Sequence, residues 1–234
     1  MNSDFNSLIG TEGFGYRIDE RAVELPWVVS CLPDGPCRLL DAGSSLNHAP
    51  VLEHPKLRGK RLFISTLNNE GYARTDLNIS YVYEDFRETC FRENYFDIIA
   101  CISTLEHVGL DNTFLYTPDK TKDEDSPGDY LLAVRVLRSV LKPGGSMYIS
   151  VPFGKPVNHG WFQVFDAARV DTVIEEFKPS RYRESIFMYE EDRWRVSSRE
   201  EAAEATCFDI NVQKEYEADF LAFSRSIVCL ELVR

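Results

Sequence analysis

The sequence predicts an α/β fold, a doubly wound parallel sheet with helices on both faces. Three observations carry this. Short apolar runs recur at Arg38–Ala42, Arg61–Ser65, Ile79–Tyr83, Phe96–Ile102 and Ser146–Val151, each short enough for a buried strand. Helical patterns fall among them, and strands alternating with helices argue a parallel sheet. The run Arg38–Asn47 passes from apolar residues to an acid, a Gly and a string of small residues. That is how a buried strand breaks into a loop with close backbone approach.

Taken in order, residues 1–16 are polar and Gly-containing and read as loosely ordered. Asp19–Leu32 carries Ala22, Val23, Trp27, Val29 and Cys31, a helix broken or started near Pro26. Pro33, Gly35 and Pro36 punctuate before the first strand. His48–His54 suits a short helix between the first two strands. Asp129–Leu141 holds Leu131, Leu132, Val134, Val136, Leu137 and Leu141 in a helical stripe. Pro143-Gly144-Gly145 ends it and turns into Ser146–Val151. In the last third, Val164–Phe177 reads as a helix and Tyr182–Tyr189 as a strand. Ser198–Ala205 opens with a helix-start signal, and Phe223–Val233 reads as a final strand. Thr117–Gly128, polar and charged, is the expected mobile loop, at the sheet edge where open α/β folds bind ligands.

A chain of 234 residues is expected to form one domain, 1–234. It divides into an N-terminal helical segment 1–35, a core 36–154, and a loop with C-terminal strands 155–234. The net charge of −12 repels phosphate backbones, which argues against nucleic acid as a partner. The six cysteines form no CxxC pair and no zinc spacing, so no metal site is expected, and the pattern fits a reducing, cytoplasmic setting. No basic stretch followed by an apolar run opens the chain, and no apolar run approaches membrane-spanning length. Membrane insertion is therefore not expected.

Two later stretches join the first. Tyr95–Gly109 reads Tyr-Phe-Asp-Ile-Ile-Ala-Cys-Ile-Ser-Thr-Leu-Glu-His-Val-Gly, and Leu141–Pro152 reads Leu-Lys-Pro-Gly-Gly-Ser-Met-Tyr-Ile-Ser-Val-Pro. In this order the three resemble the first, fourth and fifth strands of class I S-adenosylmethionine (SAM)-dependent methyltransferases. The resemblance covers roughly residues 36–154 and, more loosely, about the last 30 residues. The last third, with Trp194 followed by Ser197-Ser198-Arg199-Glu200-Glu201, is similar to little-characterised bacterial methyltransferases, some of them linked to surface polysaccharide synthesis. The resemblance implies a mostly parallel seven-stranded sheet with a late antiparallel strand, SAM as cofactor, and methyl transfer. With the acidic surface, the expected acceptor is a small molecule: a sugar, a glycan precursor or a secondary metabolite.

The resemblance also assigns residues. The family's first loop reads acid-x-Gly-x-Gly-x-Gly, and Asp41, Gly43, Ser45 and Asn47 stand at the matching positions, with Ser44 between. Thr66, followed by Leu67, stands where the family has an acid that holds the ribose, with Asn68 or Glu70 as nearby substitutes. Asp85 matches the acceptor of the adenine amino group, and Phe86 its stacking neighbour. Ser103 and Thr104 would line the methionine part. Arg17 or Arg21 would clamp the cofactor carboxylate, because a planar guanidinium matches it bidentately. Glu106 and His107 suggest an acid/base pair. Asn158, His159, Trp161, Phe162 and Gln163 suit a substrate pocket, with His159 the leading base and His107 the other. Two other readings compete. The missing ribose acid and two missing glycines suit a non-catalytic binding module on the same fold. An NAD-type oxidoreductase would want Gly-x-Gly-x-x-Gly and an acid after the second strand, and this chain has neither.

Overall fold

In the computed structural model the described residues are 5, 8, 9, 11–69, 71–209, 211–215, 217–219 and 223–234. Alternation along the strands builds the two faces of the sheet. In β4 (Phe96–Ile102), Ile99 and Cys101 belong to one core cluster, and Ile98, Ala100 and Ile102 to the other. Successive side chains point to opposite faces. A strand that is apolar on both faces must therefore be covered on both.

The strands are β1 (Arg38–Ala42), β2 (Arg61–Thr66), β3 (Ser80–Tyr83), β4, β5 (Leu141–Pro152), β6 (Arg181–Glu190), β7 (Arg193–Ser197) and β8 (Ser226–Val233). They lie in the order β3-β2-β1-β4-β5-β8-β6-β7. β3, β2, β1, β4 and β5 are mutually parallel. β8 inserts antiparallel between β5 and β6, the late antiparallel strand that the resemblance implies. An eighth strand, β7, is added at the edge by a hairpin with β6. Its turn residues Glu191 and Asp192 have φ of 53° and 63°. Such a turn usually announces itself with Asn-Gly, and two acids in its place gave no signal.

The helices are α1 (Arg21–Cys31), α2 (Ala49–Leu52), α3 (Thr113–Tyr116), α4 (Tyr130–Val140), α5 (Ala167–Phe177) and α6 (Arg199–Ala202). On one face, Val134 and Leu137 of α4 and Val170, Val173 and Phe177 of α5 pack over Ile99, Cys101 and Ile149. On the other, Val23, Trp27 and Val28 of α1, with Phe5, pack over Ile98, Ala100, Tyr148 and Cys229. Phe5 meets Phe187 edge-on at 5.6 Å, so the start of the chain contributes to this core.

Several boundaries differ from the sequence reading for local reasons. α1 runs through Pro26 instead of breaking there. Burial of Val23, Trp27 and Val28 on both sides of the proline outweighs one lost backbone bond. α5 starts at Ala167, three residues later than expected, because the Asp166 side chain caps it at Arg169 N, 2.9 Å. Phe165 bridges to Phe153 instead of joining the helix. β5 starts at Leu141 and bulges: Leu141 pairs with Phe96, and Ser146 with Ile98. The Gly144-Gly145 step takes up the extra length, with Gly144 at φ 77°. Among the described residues no helix is long and apolar enough to cross a membrane.

Candidate active site

Strand order reverses between β1 and β4, and an open α/β sheet binds its ligand outside the carboxyl ends of the strands at such a point. A cleft of about 840 Å³ opens there. Gly43 after β1, Thr66 at the end of β2, Asp85 and Phe86 after β3, and Ser103 and Thr104 after β4 line it together. Ser45, Leu67 and His107 line it as well. Its outer wall comes from α3 and from Thr117 and Thr121–Glu124.

The loop after β1 is held from beneath. The buried Asp41 carboxylate accepts from Leu46 N at 2.8 Å. Ser44 is buried at φ 66°, and Ser45 Oγ donates to Ile102 O. Gly43, at φ 114°, packs so closely that a Cβ there would lie 2.0 Å from Thr104 Oγ1. Neither Asp41 nor Ser44 lines the cleft. They shape the loop that does.

At the β3 side, Asp85 faces Arg87. Its two oxygens accept from Arg87 N, Nε and Nη2 at 2.5–3.0 Å. Arg87 also binds Glu124 at 2.6 Å and Asp129 at 3.0 Å. The lone pairs of Asp85 are thus engaged, and sequence reading missed the arginine that engages them. The same ion pairs fasten Thr117–Gly128, the segment expected to be mobile, to the β3 end. Ser126 N donates to Gly109 O at 2.7 Å, and Gln163 Nε2 to Pro127 O at 2.8 Å. At the end of β2, Asn68 lines the cleft and donates to Tyr116 O at 2.7 Å. Glu70 lies outside the described residues.

The two histidines part company. His107 lines the cleft, with 30% of its side chain exposed. Its Nδ1 lies 2.9 Å from Trp161 O. A carbonyl only accepts, so the proton sits on Nδ1 and the lone pair on Nε2. Burial pushes the imidazole pKa down to about 4, against the opposing bond to Trp161. His107 is therefore neutral at pH 7, as a base must be. Glu106 Oε1 is 4.0 Å from Nε2. Burial raises that carboxyl well above its usual range. His159 is not among the cleft residues. It stacks on Phe162 at 4.3 Å and bonds Asp209 through Nδ1 at 3.0 Å. The expectation that it is the leading base therefore meets a ring fixed outside the cleft. Trp161 does line the cleft, with His107 at 5.2 Å and Phe114 at 5.5 Å between ring centres.

Arg21 also reaches the cleft and bonds Glu24 at 2.9 Å, whereas Arg17 bonds Ala218 O at 2.6 Å and is not in the lining. No sequence signal marked Glu24, a fully buried acid in an apolar helix face. Among the described residues no group of His, Cys, Asp and Glu is arranged to hold a metal ion.

No protein-family model matches the chain, and no curated protein matches it. Solved structures do match its fold. A SAM-dependent methyltransferase from Archaeoglobus fulgidus aligns with a TM-score of 0.57 at 12% identity, over 95% of this chain and 97% of that one. The Burkholderia thailandensis 1,6-didemethyltoxoflavin-N1-methyltransferase, solved with 1,6-didemethyltoxoflavin and S-adenosylhomocysteine (SAH), aligns at 0.53 and 16% identity, over 89% and 76%. The [4+2]-cyclase SpnF aligns at 0.50 and 17%, over 76% and 70%. The chain has the fold of class I SAM-dependent methyltransferases.

Proposed function

We propose that the chain is a SAM-dependent methyltransferase acting on a small-molecule acceptor. The observation that carries this reading is the convergence of Gly43, Thr66, Asp85–Phe86 and Ser103–Thr104, from four strand ends, on one cleft. The residues present fit the cofactor. The volume lies within the range of small-molecule sites, about 300–1,000 Å³. Apolar Leu67 and Phe86 stand at the β2–β3 end for adenine, and the Arg21 cation stands near Ser103 for the carboxylate. Thr66 and Asn68 meet the ribose with neutral groups. Asp85 acts through its pairing with Arg87, as part of the adenine-side wall.

The bound cofactor supplies an electrophilic methyl group, and the protein aligns a nucleophile with it. His107 Nε2 takes the proton of a hydroxyl acceptor. Trp161 excludes water and covers the acceptor skeleton, with Phe114 packed against it. His159 supports this wall through Phe162 and Asp209. The aromatic wall favours a ring-bearing acceptor, such as a sugar, a glycan precursor or a secondary metabolite. The acidic overall charge weighs against nucleic acid, and the cysteine pattern supports work in a reducing cytoplasm.

The test is transfer of isotopically labelled methyl from SAM to a panel of sugars, phenols and amines. Labelled product supports the reading. A second reading, a SAM-binding module without catalysis, is favoured by Thr66 in place of the ribose acid. Saturable SAM binding with no transfer across the panel would select it.

A further inference from the structure

Glu24 is buried in α1, on a helix face that otherwise presents Val23, Trp27 and Val28. A buried carboxylate is costly unless donors surround it, and here they do. Oε1 accepts from Ser103 Oγ and from Ser150 Oγ, each at 2.6 Å. Oε2 accepts from Arg21 Nη1 at 2.9 Å. The three donors belong to the turn after β4, to β5 and to α1. Two of them, Arg21 and Ser103, line the cleft.

Ser103 has φ 41°, a conformation that non-glycine residues rarely hold without outside support. Its backbone N–H donates to Ser150 O at 3.0 Å and to Ser150 Oγ at 3.2 Å. Ser150 therefore joins the strained turn to the same carboxylate. Arg21 gives Glu24 one N–H of its fork, which leaves the guanidinium further donors, and Arg21 lines the cleft. Burial raises the pKa of the neighbouring carboxyls of Glu20 and Glu106, which favours their neutral forms beside Arg21.

We propose that Glu24 is a positioning residue: it holds Arg21 and the Ser103 turn in the poses that receive the amino-acid end of the cofactor. The proposal rests on the SAM-binding reading above. In that reading, α1 is more than a cover for the sheet. It carries the cation and the acid that orients it three residues later.

The experiment is Glu24→Gln, read by calorimetry with two ligands. SAH carries the amino-acid arm, and 5′-methylthioadenosine carries the same adenosine and thioether without it. Gln keeps the side-chain length and an oxygen for the two serines, but its amide N–H₂ cannot accept from Arg21. SAH affinity is expected to fall by about tenfold or more, the scale of a charge-assisted bond. Affinity for 5′-methylthioadenosine should stay within about twofold of wild type. Equal losses for both ligands would reduce Glu24 to a merely structural role, and no loss for either would remove it from the site. Both results overturn the proposal. Should Glu24→Gln melt below the assay temperature, Glu24→Asp, whose carboxylate is one methylene shorter and cannot hold Arg21 and both serines at once, takes its place. An SAH-selective loss then supports the proposal, and an equal loss or none overturns it. Wild-type protein that binds neither ligand would overturn the cofactor reading itself, and the proposal with it.

Discussion

Gly43→Ala should be among the most damaging single-methyl additions in this protein. An added Cβ would lie 2.0 Å from Thr104 Oγ1, 2.4 Å from Thr104 Cγ2 and 2.7 Å from Thr104 Cβ. The backbone cannot retreat freely, because Gly43 N donates to Ser65 O at 2.8 Å. Thr104 is tied by Oγ1 to Ile102 O at 3.0 Å. Two costs add. A side chain at φ 114° costs about 1–3 kcal/mol in backbone strain, and overpacking costs about 1–3 kcal/mol more. The sum is about 2–6 kcal/mol. For a chain of this size each kcal/mol moves the Tm by about 2–4 °C, so a fall of about 4–24 °C is expected in a thermal melt, matched by a lower urea midpoint. Thr104→Gly in the same chain removes all three clashing atoms, and should recover the overpacking part while leaving the strain. A Gly43→Ala protein melting within about 1 °C of wild type would refute the reasoning. So would a double variant no more stable than Gly43→Ala alone.

Arg87→Met frees three carboxylates from one cation. Limited proteolysis should then cut within Thr117–Gly128, and unchanged protection would show that Gly109, Pro127 and Gln163 hold the segment unaided. For His107, the asparagine variant should lower turnover by about 10²–10⁴-fold with SAH affinity nearly unchanged. The wild-type rate should fall only as pH drops towards about 4, where the half-buried imidazole gains its proton; an acid limb at or above the usual histidine value would point to another base. Glu20 concerns stability: burial, then the neighbouring Glu24, raises its pKa to about 8. The native state therefore keeps a proton that the unfolded chain has lost, and stability falls as pH rises from the ordinary carboxyl value towards about 8. Glu20→Gln should flatten that decline in urea titrations at successive pH values, and an unchanged slope would contradict it.

The strands β1, β2, β3 and β4 were legible within a residue or so: burial writes apolar runs into β1, β2 and β4, and the half-exposed edge strand β3 shows through its Val and Tyr residues. α4 was legible from its stripe, and Ser198 announced α6 by its cap, accepting from Glu201 N at 3.2 Å. β7 was not, since its turn has no glycine or asparagine and its strand alternates charged residues with Trp194 and Val196. Of the candidate site, Gly43, Ser45, Thr66, Leu67, Asp85, Phe86, Ser103, Thr104 and His107 do meet in one cleft. What the sequence could not show was pairing across distance. Arg87 reaches Glu124 and Asp129 across about 40 residues, and Glu24 reaches Ser150 across 126. His159 looked like a base because it sits among aromatics after β5. Only the fold brings Asp209 to its Nδ1.

The most direct measurement is a calorimetric titration of SAH into the wild-type protein. If the cleft at the ends of β1–β4 is a SAM site, the titration shows saturable one-to-one binding, and a crystal grown with SAH shows its adenine beside Phe86 and its amino-acid arm beside Arg21 and Ser103. Absence of binding at roughly millimolar ligand, well into the weak-affinity range, in protein that melts cooperatively, would contradict it.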